Sequence, residues 1–216
     1  MMNKMNQNRK KIALLSIAML ATMLACVAFL GFNGNELAPK QFAQWVENPS
    51  NGLVVGQTVK DFRLQAQYKP LDYIVAMEQR KTALKKEVVE ARKLELGDQL
   101  DYFNFRISPA VEGSDVWNNI PEAIDPQAKG DIMQHLSYGM KQDFYLLDGL
   151  DTVACKMYQF VNTVGITPYL DIVLAFEKRP EKDRVLVYDD KVLGIGPTRF
   201  QIKKEKINHI PTLKTQ

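Results

Sequence analysis

Lys60-Asp61-Phe62-Arg63-Leu64-Gln65-Ala66-Gln67-Tyr68-Lys69 alternates apolar and polar side chains without a break. Phe62, Leu64, Ala66 and Tyr68 fall on one side; Asp61, Arg63, Gln65, Gln67 and Lys69 fall on the other. A period of two is that of a β-strand with one dry face and one wet face. Strands of this kind belong to antiparallel sheets rather than to fully buried parallel ones. This stretch therefore decides for a sheet with one covered face.

Working outward, Leu53–Thr58 reads as a partner strand, and Pro70 stops the second strand. A long helix is expected from Leu71 to about Leu94, with Leu71, Ile74, Met77, Leu84, Val88 and Ala91 near helical spacing. Lys86 and Glu90 form an i,i+4 pair, and the acids interleaved with Arg80, Lys81 and Lys85 make this a solvated face rather than a binding patch. Gly97 breaks the chain into a strand at Gln99–Ile107. Pro109–Pro126 is irregular, and a second helix is expected from Gln127 to about Lys141. The last third is strand-rich: Asp143–Leu147, Thr152–Phe160, Pro168–Phe176, Arg184–Tyr188, Val192–Leu193 and Thr198–Lys203. Asp148-Gly149-Leu150-Asp151 is a hairpin signal. Short turns between consecutive strands imply a meander, with the helices packed on one face. The expected class is α+β.

Upstream, Pro39 opens a short helix over Lys40–Glu47, with Phe42, Trp45 and Val46 on one face, and Asn48-Pro49-Ser50-Asn51-Gly52 ends it. Further back, Arg9-Lys10-Lys11 precedes Ile12–Phe32, a run of 21 residues without a charge. As a helix it would be about 31 Å long, close to a bilayer's hydrocarbon thickness. Cations at its start and no acid before Glu36 give the charge pattern of a secretory signal or anchor, with the remainder exported. The expected organisation is thus a signal peptide or membrane anchor over 1–33, a short helical linker over 34–52, an α+β domain over 53–203 and a flexible tail over 204–216.

The charge balance follows from this topology. The chain has 28 Lys+Arg against 25 Asp+Glu, but four of the cations lie in residues 1–33, leaving 24 against 25. No basic surface for nucleic acid is implied. Cys26 sits inside the apolar run, so Cys155 has no partner for a disulfide and reads as a small buried hydrophobe.

Met23-Leu24-Ala25-Cys26 resembles the lipobox of bacterial lipoproteins, in which the cysteine is acylated after cleavage. Val27-Ala28-Phe29-Leu30-Gly31-Phe32 departs from that pattern, which turns polar after the cysteine, so an uncleaved single-pass anchor is the alternative. Glu36-Leu37-Ala38-Pro39-Lys40, Trp45-Val46-Glu47-Asn48-Pro49, Cys155-Lys156-Met157-Tyr158 and Leu193-Gly194-Ile195-Gly196-Pro197 together resemble a group of uncharacterised lipoproteins from Bacteroidota envelopes. The resemblance implies lipidation at Cys26 and brings no activity with it.

The motif search is negative for catalysis. There is no G-x-S-x-G, H-E-x-x-H or phosphate loop. His135 lacks a second ligand one turn on, so no metal site is read, and no cofactor is implied. The expectation is a membrane-tethered envelope protein acting as a non-enzymatic interaction or accessory subunit with an envelope protein partner. A second reading is a tethered binder of a small or glycan ligand, using the 109–126 loop with Asp115, Trp117, Asn118 and Asn119. A third is a hydrolase built on carboxylates converging in a pocket.

Overall fold

The computed structural model describes residues 36–79, 83–120, 126–161, 163, 165–179 and 182–216. The 1–33 segment, with Cys26, lies outside the described residues. Among those described, no helix is long and apolar enough to cross a membrane. Leu37–Gln216 form one compact unit.

The architecture is α+β, with antiparallel strands throughout the two larger sheets. Strands β2 (Val54–Val59), β3 (Phe62–Lys69), β4 (Leu100–Pro109), β8 (Leu170–Glu177) and β7 (Met157–Val161) form a five-stranded sheet in that order. Strands β10 (Pro197–Ile202), β9 (Arg184–Asp189), β5 (Phe144–Asp148) and β6 (Asp151–Ala154) form a four-stranded sheet. The alternation at 60–69 is realised as expected: Phe62, Leu64, Ala66 and Tyr68 are buried, and their neighbours are not. Register places Ala66 beside Phe105 and Phe105 beside Ile172, so one apolar face runs across three strands.

What covers that face corrects the expectation of a single meander under helices. Phe105 makes ring contacts with Phe144, Tyr188 and Phe200, all from the other sheet, at centroid distances of 5.0–5.4 Å. The two sheets therefore meet through their dry faces, as in a β-sandwich. The segment expected as one strand, Thr152–Phe160, is two strands in different sheets. It changes sheet at Cys155-Lys156, where Lys156 N donates to Ala175 O and the Cys155 thiol to Met157 O. The sequence of this stretch is apolar on both sides of the corner, so periodicity does not expose it.

Helix α1 (Pro39–Glu47) buries Phe42 and Val46 completely. It belongs to the domain and is not a linker. The single helix expected from Leu71 to Leu94 is two, α2 (Leu71–Gln79) and α3 (Lys86–Leu96). Their Val75, Ala76 and Val89 join the same core. Helix α4 (Pro126–Gln134) runs into a wide π-turn at His135–Gly139 and a 3-10 turn at Met140–Asp143. A Cβ on Gly139 would stand 2.6 Å from His135 Nδ1, so only glycine lets the imidazole lie there.

Two further expectations change. Val192–Leu193 is a bend, not a strand. The Asp190 carboxylate organises it by accepting from Val192 N, Leu193 N and Ile195 N at 2.7–2.9 Å and from the buried Tyr188 hydroxyl. The 204–216 tail is ordered: α5 (Lys204–Asn208) is followed by β11 (Thr212–Leu213), which pairs with β1 (Glu36–Leu37). Lys214 N donates to Leu37 O, Gln216 N to Leu84 O, and Lys86 N to Gln216 O. Leu213 supplies the apolar anchor at 4% exposure. The tail reads as polar because its tethers are backbone hydrogen bonds, which any sequence can make.

Candidate functional site

The wet face of the five-stranded sheet carries the best-formed polar cavity, about 310 Å³. It is built from the polar half of the alternation. Gln65, Gln67 and Lys69 come from β3, Asn104 and Arg106 from β4, and Asp171 from β8. Register sets Gln67 opposite Asn104, Gln65 opposite Arg106, and Arg106 opposite Asp171, which makes a grid of polar side chains. Val54 forms part of the floor from β2, and Glu47 and Tyr73 close the rim from α1 and α2.

The grid has a fixed part and an uncommitted part. Arg106 donates twice to Asp171, from Nε at 2.8 Å and Nη2 at 2.7 Å, and its guanidinium lies 3.9 Å over the Tyr169 ring. Asn104 Nδ2 donates to the same carboxylate at 3.0 Å. The paired carboxylate raises the Arg106 pKa further. Two-point pairing plus stacking gives this arginine one orientation. The Tyr73 hydroxyl donates to Glu47 Oε1 at 2.8 Å, and burial and this carboxylate push the Tyr73 pKa up.

Lys69 is different. It is half-buried, and among the described residues no hydrogen-bond or ion-pair partner reaches its ammonium. Burial pulls its pKa below the usual lysine value, Arg106 adds to that, and Asp171 and Glu47 act against it. The Gln67 amide lies against the Tyr73 hydroxyl, and its Nε2 is buried without a well-formed hydrogen bond. An ammonium and an amide with donors to spare, facing a cavity, are what a ligand-binding surface requires.

The residues singled out in the 109–126 loop hold a different position. Trp117 is 8% exposed and belongs to the core cluster, with Lys129 Nζ 5.5 Å from its ring centre. Asp115 accepts from Trp117 N at 2.8 Å and so starts the 3-10 turn Val116–Asn119. Asn119 Nδ2 donates to Asp61 O at 3.1 Å, and Asn118 alone of the four is exposed. Of these side chains, Asn119 ties the loop to the β2–β3 turn, Asp115 caps its own 3-10 turn and Trp117 packs in the core.

Other chemistry-bearing groups are structurally committed. His135 Nε2 lies 2.5 Å from Asp143 Oδ2, and burial raises the Asp143 pKa against the opposing influence of His135. The Cys155 thiol is buried and pushed up to about 11 by that burial, which makes it a poor nucleophile at neutral pH. Among the described residues, no group of three or more His, Cys, Asp or Glu is placed to hold a metal. Glu47 and Asp171 do line one cavity, but Arg106 and Asn104 occupy the Asp171 oxygens. In the sequence, nothing separates the cradle residues from any other wet face; register alone assembles them. Compared with protein-family models, with the curated proteins and with the solved structures, the chain has no significant match in any of the three.

Proposed function

We propose that this is an envelope protein held at a membrane by residues 1–33, whose folded domain is a non-enzymatic accessory module that binds a small polar ligand in the β3–β4–β8 cradle. The observation that carries the reading is the polar grid around the 310 Å³ cavity, with Lys69 and Gln67 left holding unused donors. Cavities of this size lie at the lower end of the range for small-molecule sites. Fixed polar groups ready to pair with a solute cost little to organise on binding, which favours affinity. The tether rests on the sequence pattern of 9–34 and on the lipoprotein resemblance at Cys26.

The test is a thermal-shift series on the full chain in detergent against amino acids, carboxylates, monosaccharides and polyols. One class is expected to raise the midpoint by about 3–5 °C at roughly ten times its Kd. Arg106→Ala is expected to abolish that shift. A flat series, or a shift that survives Arg106→Ala, would count against the cradle.

The tether is tested separately, by mass and lipid labelling of wild type beside Cys26→Ala. A mature chain beginning at Cys26 and acylated, with both features lost in the variant, is the expected result. An unlabelled chain of full length in both would replace acylation with a single-pass anchor.

A further inference from the structure

The charges of the cradle are balanced but only half of them are neutralised locally. Arg106 and Asp171 satisfy each other in a two-point pair. Lys69 and Glu47 do not: among the described residues the ammonium has no partner in contact, and the Glu47 carboxylate receives only the Tyr73 hydroxyl, on Oε1. One cation without a contacting partner among the described residues and one anion paired there only with a neutral hydroxyl thus line the same cavity, with the amides of Gln65, Gln67 and Asn104 in the grid beside them. Among the described residues the Nη1 donors of Arg106 also have no hydrogen-bond partner, since Asp171 takes only Nε and Nη2.

From this juxtaposition, and resting on the reading of the cradle as a binding site, we infer that the ligand is a small zwitterion of amino-acid or dipeptide size. Its carboxylate pairs with Lys69 and Arg106 Nη1, its ammonium pairs with Glu47 Oε2, and the amides bind its peptide or side-chain polar atoms. A simple anion would satisfy Lys69 but would bring a charge toward Glu47 and Asp171. A neutral sugar would leave Lys69 half-buried and unpaired, and unpaired charge in a desolvated site is costly. Charge-assisted hydrogen bonds to both ends are the contacts that a zwitterion alone supplies.

The cost of holding Lys69 unpaired in the free protein gives a second signature. Burial depresses its pKa, so the charged form is less favourable in the folded chain than in the unfolded one. Lys69→Met keeps length and packing while removing the charge, and it is expected to leave the thermal midpoint equal to or above that of wild type.

The experiment is calorimetric titration of the full chain in detergent with free L-amino acids and glycylglycine, then with their N-acetyl and C-terminal amide forms, and with monosaccharides as neutral probes. Binding of the free forms is expected, with at least about a tenfold loss on blocking either end. Lys69→Met and Glu47→Gln are each expected to weaken the free ligand about tenfold or more, in Lys69→Met at an undiminished melting midpoint. N-acetylated compounds binding as well as free ones would make this an anion site and overturn the zwitterion. Monosaccharides binding instead, with loss in Arg106→Ala, would overturn the zwitterion while leaving the cradle as a binding site. No binding by any probe would overturn both.

Discussion

Arg184→Met is expected to destabilise the domain by about 3–5 kcal/mol, the usual cost of breaking a buried ion pair from one side. Arg184 is 3% exposed and Asp101 is completely buried. Arg184 Nε donates to Asp101 Oδ2 at 2.6 Å, Nη1 donates to Lys182 O, and the Tyr68 hydroxyl donates to Asp101 Oδ1 at 2.9 Å. Asp101 stands on β4 of one sheet and Arg184 on β9 of the other, so the pair bridges the sandwich. Methionine fills much of the space of the arginine stem but leaves the carboxylate with Tyr68 as its only side-chain partner. Burial and this carboxylate hold the Tyr68 phenol well above the usual tyrosine value, so it stays a neutral donor and cannot balance the charge on Asp101. The double variant Asp101→Leu, Arg184→Met removes both charges and is expected to lose much less than the single one. Urea denaturation of the two singles and the double gives the coupling directly. Equal losses in the Arg184→Met single and in the double would mean that the pair contributes packing rather than charge.

Phe105→Ala is expected to cost about 3–5 kcal/mol, the usual range for loss of a buried aromatic ring. The ring is fully buried and is one of the points where the two sheets touch. Its edge-on contacts with Phe144 and Phe200 and its tilted contact with Tyr188 come from β5, β10 and β9. Truncation removes the ring from all three at once, including from the stacked Phe144–Tyr188 pair, 4.9 Å apart. Phe105→Leu keeps most of the volume and is expected to lose about 1–2 kcal/mol. Chemical denaturation by two probes would check both values. A loss below about 1 kcal/mol in Phe105→Ala would mean that the sheets repack without a ring between them.

These effects show where the sequence could and could not be read. The alternation at 60–69 and 168–176, the glycine and proline breaks and the Asp148–Asp151 hairpin specify strands and turns, because local sterics and a period of two act over a few residues. The α+β class follows from them. Which strands share a sheet does not, because Phe105 and Phe144 are equally apolar whether they face a helix or each other. For the same reason the sheet change at Cys155-Lys156 and the split of the Leu71–Leu94 helix became visible only in the fold. The tail is held through main-chain atoms, which carry no residue signature.

The cradle marks the same boundary. Gln65, Gln67, Lys69, Asn104, Arg106 and Asp171 are ordinary polar residues on three separate strands. By itself the sequence placed Gln65, Gln67 and Lys69, and by the alternation at 168–176 Asp171, on the side of their strands away from the core residues. Tertiary structure alone decided that the six are neighbours, that Asp171 satisfies Arg106, and that Lys69 has no contacting partner among the described residues. Alternation is a local property of a strand, whereas pairing depends on register between strands up to about a hundred residues apart in the chain.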